Sequence, residues 1–209
     1  MDILRSVLLI AITYGLAGIP WGVVLGRLIK GVDLRSYGSG ATGATNSLRV
    51  LGWQISVAVF ILDFGKGFLP VLLARWIDLP GWGIALTAIV SVVGHCWSPY
   101  IGFRGGKGMA TGGGAAVALL PWLFGLLLFV VAVVYLTRYV SLASILTAIV
   151  GPLIVLVLWL LGLFPAWWVV GVIGIGSIIL WQHRGNIDRL RKGTERKFGR
   201  SESPSGNSA

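Results

Sequence analysis

The sequence predicts an all-α integral membrane protein, and two observations carry that reading. Charged residues make up only 11% of the 209-residue chain and hydrophobic ones 56%, with a mean hydropathy of +0.88. A water-soluble domain carries about 25% charged residues, so this chain cannot cover a water-facing surface and its main solvent must be lipid. The second observation is spacing. Apolar stretches near the ~20 residues needed to cross the hydrocarbon alternate with short, Gly-rich, basic interruptions.

The first expected span runs from Ile3 to Ile29. It is too long for the apolar core of a cleaved signal and lacks a clear small-residue cleavage site, so it reads as a membrane helix. A polar, Gly-rich loop follows to Arg49. Residues 51–76 form the second span, apolar apart from Asp63 and Lys66, and after the break DLPGW a third occupies 83–98. The loop PYIGFRGGKG comes next. From Gly108 to Gln182 the only charge is Arg138, and the stretch holds either three spans or four. Breaks at Pro121 and at LGLFP (161–165) divide it into 109–120, 121–137, 140–160 and 166–182, giving seven spans in all.

Charge favours seven. Fourteen cations then share one face: Arg27, Lys30, Arg35, Arg49, Arg104, Lys107, Arg138 and seven in the C-terminal tail. The other face keeps only Arg5 and Arg75, with Lys66 inside the membrane. The positive-inside rule makes the Gly-rich face and the C-terminus cytoplasmic and the N-terminus external, whereas six spans would move the basic tail across the membrane. The 109–120 span is too short to cross unaided and is expected to lean on protein or lie beside a cavity. Residues 1–200 are expected to form a single polytopic membrane domain, and the small polar residues 201–209 a disordered tail.

Several chemistries are disfavoured. One cysteine, Cys96, excludes an internal disulfide, and with only His95 and His183 a Cys/His metal site is not expected. The net charge of +10 and pI near 10.5 follow from membrane topology, so nucleic acid is not an expected partner. YGSGATGATN (37–46) holds G-x-G-x-x-G at Gly38, Gly40 and Gly43, with Asp63 twenty residues on. The dinucleotide fingerprint nevertheless fails, because it needs a strand before the glycines and here a membrane helix precedes them. DFG (63–65) has no accompanying kinase loop, and FRGGKG lacks the spacing and the Ser/Thr of a P-loop.

The physics of the glycines survives these exclusions. Closely spaced glycines let backbone N–H groups approach an anion. Ser39, Thr42, Thr45 and Asn46 add donors, while Arg35 and Arg49 add charge. Taken singly, such a loop is as readily a flexible connector. GFRGGKG repeats the design with Arg104 and Lys107, however, and HRGNIDRLRKGTERK carries His183, Asn186 and Glu195, which topology alone does not require. Three such segments on one membrane face point to a polyanionic substrate. Asp63 and Lys66, at i and i+3, share a helix face and read first as a self-neutralising pair; the role of Lys66 stays open. His95 reads as a hydrogen-bonded structural residue.

These segments, in order, resemble the acyl-phosphate-dependent glycerol-3-phosphate acyltransferase family of bacterial membranes (PlsY). The matching stretches are DLRSYGSGATGATNSLRVLG, LDFGKGFLPV, VGHCWSPYIGFRGGKGMAT, RYVSLASI and HRGNIDRL, spanning 33–190. The resemblance implies a seven-helix enzyme of the bacterial inner membrane. It would move an acyl group from acyl phosphate to the sn-1 hydroxyl of glycerol 3-phosphate, without metal or cofactor and as a monomer. Its polar site would comprise Ser39, Asn186 and His183 as catalytic groups. Phosphate would be held by Gly38, Gly40, Gly43, Thr45, Asn46, Arg49, Gly105, Gly106, Lys107 and Ser141. Asp63, Lys66, His95 and Glu195 would support them. The family has Asn where Ala41 stands, so no side-chain contact is carried over there.

HRGNID also spells H-x-x-x-x-D, the mark of thioester-dependent glycerol phosphate acyltransferases. Positions i and i+5 diverge by about 140° on a helix, so this match reads as coincidence. Two other classes compete with the acyltransferase. A phosphate transporter should show internal repeats and broken midplane helices, and a lipid phosphatase or CDP-alcohol phosphotransferase should show its own paired-acid or His/Arg signatures. The sequence shows none of these convincingly.

Overall fold

The computed structural model describes residues 1–199, and their regular structure is entirely helical. Ten helices follow one another: α1 (Asp2–Gly18), α2 (Trp21–Lys30), α3 (Ala44–Val50), α4 (Trp53–Trp76), α5 (Gly81–Cys96), α6 (Met109–Leu119), α7 (Leu126–Thr137), α8 (Val140–Leu160), α9 (Ala166–Gln182) and α10 (Arg184–Arg191). Among the described residues, four segments are long and apolar enough to cross a membrane: Asp2–Lys30, Trp53–Trp76, Gly81–Ile101 and Val140–Leu160. A fifth arises if α9 and α10, bent by 56° at their junction, count as one span. Met109–Leu119 and Pro121–Thr137 are apolar but shorter.

Three local features differ from the sequence reading. The first span divides at Ile19 and Pro20, because proline offers no amide to the helix and its ring crowds the preceding turn. The polar loop ends earlier than Arg49, since α3 starts at Ala44 with Gly43 as its N-cap and carries Arg49 on its last turn. The basic segment after His183 winds into α10.

The bundle is held by close backbone approach, which small residues permit where lipid offers no hydrophobic drive. A Cβ on Gly67 of α4 would strike the Thr111 carbonyl of α6, and one on Gly114 of α6 would strike the Phe64 carbonyl of α4. Gly94 of α5 sits the same way against Tyr14 of α1. A core of Val71, Ala88, Val92, Ala115, Leu119, Val172 and Ile175 joins α4, α5, α6 and α9. By contrast α7 contributes no buried residue and packs on α8 and on the 3₁₀ turn Pro121–Gly125.

The short α6 is terminated by a device on its neighbour. Its last carbonyls lack helical partners. Arg75 of α4 donates to the carbonyls of Ala118 (2.5 Å) and Leu119 (3.2 Å), with its guanidinium 5.7 Å from the Trp168 ring centre. Pro121 then starts the turn to α7.

Candidate active site

The loop from Tyr37 to Gly43 is organised around one side chain. Asn46 is 2% exposed. Its amide nitrogen faces three carbonyls, Leu34 (3.2 Å), Tyr37 (3.1 Å) and Ala41 (3.0 Å), and its carbonyl oxygen accepts from the Ser39 amide (2.9 Å). Three of these bonds go to the loop and the fourth to the 3₁₀ turn Leu34–Ser36 just before it. Gly38 turns with φ +59°, and a Cβ there would collide with the Asn46 oxygen. Asn46 therefore shapes the loop that carries Ser39 onto the cavity wall. Arg35 is bound to Asp33 (2.7 Å) and lies off the cavity wall. Its hydrogen bond holds the Asp33 carboxyl well below the usual carboxylate range.

The second Gly-rich loop rests on the end of α5. The Gly105 amide donates to the Cys96 carbonyl (3.0 Å) and the Gly106 amide to the His95 carbonyl (3.1 Å). A side chain at Gly105 would meet the His95 carbonyl, and one at Gly106 would meet the His95 ring. These glycines bring the loop down onto α5 and so set the position of Lys107. Beneath them, Lys66 pairs with Asp63 (2.9 Å) and donates to the Ile19 carbonyl at the break between α1 and α2 (2.8 Å). His95 Nδ1 lies 3.5 Å from the same Asp63 oxygen. Asp63 and His95 reach the cavity wall; Lys66 does not.

The third segment supplies the remaining polar groups. His183 sits at the bend between α9 and α10, where its Nδ1 is 2.8 Å from the Ile179 carbonyl. A carbonyl only accepts, so Nδ1 carries the proton and Nε2 is the nitrogen left for other partners. Asn186 and Arg189 lie at i and i+3 of α10, on one face. Gly193, at φ +69°, turns the chain back, with its amide bonded to the Leu190 carbonyl and that of Thr194 to the Arg189 carbonyl. Glu195 thereby returns beside the helix.

These parts form one chain of hydrogen bonds. Lys107 Nζ donates to Asn186 Oδ1 (2.6 Å), Asn186 Nδ2 donates to Glu195 Oε1 (2.7 Å), and Arg189 Nε donates to Glu195 Oε2 (2.8 Å). Burial alone would raise the Glu195 carboxyl, but donors at Asn186, Ser141 and Arg189 outweigh it and hold it below its ordinary value. The buried Ser141 hydroxyl lies beside Glu195, poorly aligned for a full hydrogen bond, and favours its charged form by proximity. Burial, with Arg189 and Arg49 adding like charge against the opposing pull of Glu195, brings Lys107 down to about 8.

A cavity of about 1000 Å³ takes in this chain together with Ser39, Gly43, Thr45, Arg49, Ser141 and His183. From there it continues between α6, α7, α8 and α9 along Val117, Leu127, Ala148 and Ile175. Cations thus line one end, and the rest of the wall is mostly hydrocarbon. Gly40, Gly105, Gly106 and Lys66 lie off its wall. Asp188, the acid of H-x-x-x-x-D, is also off the wall, exposed and paired with Lys192 (3.0 Å). Arg189 is one of several wall residues, with Gln182, Arg184 and Arg196, that the sequence does not single out. Its spacing of three from Asn186 was the available signal. Among the described residues no group of three or more His, Cys, Asp or Glu side chains is placed to hold a metal ion.

An apolar helical bundle enclosing such a two-part cavity is an integral membrane protein. A family model described as glycerol-3-phosphate acyltransferase matches residues 7–193. Curated proteins of that name are similar throughout. The one from Parasynechococcus marenigrum is 44% identical, covering 94% of this chain and 92% of its own. That from Rubrobacter xylanophilus is 41% identical, covering 93% and 96%. Crystal structures of PlsY (YgiH), an integral membrane glycerol 3-phosphate acyltransferase, superpose in their glycerol 3-phosphate form (TM-score 0.87, 41% identity) and lysophosphatidic acid form (TM-score 0.85, 40% identity). Each covers 93% of this chain and 96% of its own. The chain belongs to the glycerol-3-phosphate acyltransferase family and is a multi-pass integral membrane protein.

Proposed function

We propose that this chain transfers a fatty acyl group from acyl phosphate to the sn-1 hydroxyl of glycerol 3-phosphate, releasing lysophosphatidic acid and inorganic phosphate. The observation that carries the proposal is the single cavity joining a cationic end to a hydrocarbon slot. Both substrates bear a phosphate, and one also bears a fatty chain that must stay in lipid while its head reacts.

In this reading Arg49 and Lys107 hold the phosphates by charge-assisted hydrogen bonds. Asn186 fixes the Lys107 ammonium, and Glu195 with Arg189 fixes Asn186 in turn. Ser39 and His183 face the reacting groups from opposite segments, and Ser141 adds a hydroxyl beside the phosphate. The glycerol oxygen attacks the acyl carbonyl carbon, the bond from that carbon to the phosphate oxygen breaks, and the hydroxyl proton passes to the departing phosphate. Acyl phosphate is already activated, so positioning and electrostatics are the protein's main contributions. No cofactor enters. Asp63, Lys66 and His95 support the loop that carries Lys107.

The chain crosses the bacterial inner membrane seven times, with the N-terminus outside, and works as a monomer. The clustering of fourteen cations on one face supports that orientation.

The test supplies purified protein with glycerol 3-phosphate and, in parallel, palmitoyl phosphate, palmitoyl-CoA or palmitoyl–acyl carrier protein. Lysophosphatidic acid from palmitoyl phosphate alone is the expected result. Turnover only with the thioesters would overturn the donor, and no product from any donor with folded protein would overturn the reaction.

A further inference from the structure

Helix α6 contains three consecutive glycines, Gly112, Gly113 and Gly114, in a position where alanine would make the more stable helix. Close packing explains two of them. A Cβ at Gly112 would meet Ile175 at 2.8 Å and Ile179 at 2.9 Å, and one at Gly114 would strike the Phe64 carbonyl. Gly113 is different. A Cβ built there meets no atom within 4 Å, and its φ is not in the left-handed region, so neither contact nor conformation requires glycine. The space beside it is the apolar part of the cavity, whose wall includes Gly113, Ala116 and Val117 from this one face of α6.

We infer that Gly113 keeps the hydrocarbon slot open and that the row Gly113, Ala116, Val117 sets which acyl-chain lengths the enzyme accepts. This rests on the acyl-transfer reading above. At a rise of 1.5 Å per residue, Gly113 lies about 6 Å and Val117 about 12 Å along α6 from Met109 at the polar end. A side chain added at Gly113 obstructs the slot near the head group, where every long chain must pass. One enlarged at Val117 obstructs it deeper, where only the longer chains reach. The two positions therefore act at different depths on one ruler.

The experiment measures kcat/KM of wild type, Gly113→Leu and Val117→Phe with hexanoyl, decanoyl and palmitoyl phosphate at saturating glycerol 3-phosphate. Apolar pockets discriminate by about 10- to 200-fold per misfit group. Gly113→Leu should lower the palmitoyl-to-hexanoyl ratio at least about tenfold, and the decanoyl ratio with it. Val117→Phe should lower the palmitoyl ratio while leaving decanoyl closer to hexanoyl. The KM for glycerol 3-phosphate should not move. Gly113→Ala, measured alongside, should melt no lower than wild type, which separates obstruction from misfolding. Wild-type chain-length ratios in both bulky variants would overturn the ruler, as would an equal loss for all three donors. Failure of the wild type itself on every acyl phosphate would instead overturn the reaction assigned above.

Discussion

Two charged networks, one buried and one partly exposed, meet where the second Gly-rich loop rests on α5 and are built to opposite ends. Asp63 pairs with Lys66 and lies near His95, Lys66 also donates to a main-chain carbonyl at a helix break, and of the three only Lys66, 8% exposed, stays off the cavity wall. Lys107, Asn186, Glu195 and Arg189 are drawn from a loop, a short helix and the segment after it, and all four line the cavity. The first network turns its cation away from the cavity onto the α1–α2 junction; the second keeps its cations on the cavity wall. Neutrality is therefore a poor guide to purpose for charges in a membrane. What distinguishes the second network is that both of its cations line a space that a ligand can occupy, whereas Lys66, the cation of the first, does not.

The largest effect should come from breaking the first network. Asp63→Ala leaves a buried, unpaired ammonium, a change worth about 3–5 kcal/mol, and thermal unfolding in detergent should show the loss. Replacing Asp63 and Lys66 together by Leu and Met should recover most of it, since apolar substitution of a whole buried pair is often neutral. A double variant as unstable as the single one would contradict a purely structural pair.

In the second network, Asn186→Ala should behave in the reverse way. It removes the acceptor that orients Lys107 and should lower turnover by about two orders of magnitude, in the range seen for a lost electrostatic stabiliser, with little change in melting temperature. Equal losses in stability and activity would erase the distinction between the networks.

A pH series sharpens the same point. Lys107 is brought to about 8 by burial, by Arg189 and by Arg49, against the pull of Glu195. The charged form that holds phosphate is present below that value and lost above it. At subsaturating substrate, kcat/KM should fall as pH rises through about 8, by up to about tenfold per unit. Lys107→Arg, which cannot lose its charge, should flatten that limb.

The smallest effect on activity concerns a residue in neither network. Arg75→Leu uncaps α6 and should cost about 1.5–3 kcal/mol, the scale of a lost charged hydrogen bond. Activity per folded molecule should stay at the wild-type level.

Much of this was legible in the sequence, for identifiable reasons. Hydropathy reports which segments prefer lipid, so the helical membrane class and the helices around α4, α5 and α8 emerge directly. The three polar segments stand out because polar residues are rare in such a chain. Less visible were the backbone duties of those residues. Asn46, Gly105 and Gly106 read from the sequence as phosphate holders. In the fold their bonds and close approaches go to the loops and to α5. Composition reports that a donor exists but not where its partner lies. Arg189 was hidden among basic residues that topology already explained, and Gly113 among glycines that packing already explained.

The most direct measurement is Lys107→Met, purified and assayed for both melting temperature and acyl transfer from palmitoyl phosphate. The account predicts wild-type melting with turnover lower by at least about two orders of magnitude. Turnover close to wild type would contradict it, because the cationic end of the cavity would then not be where the phosphates are held.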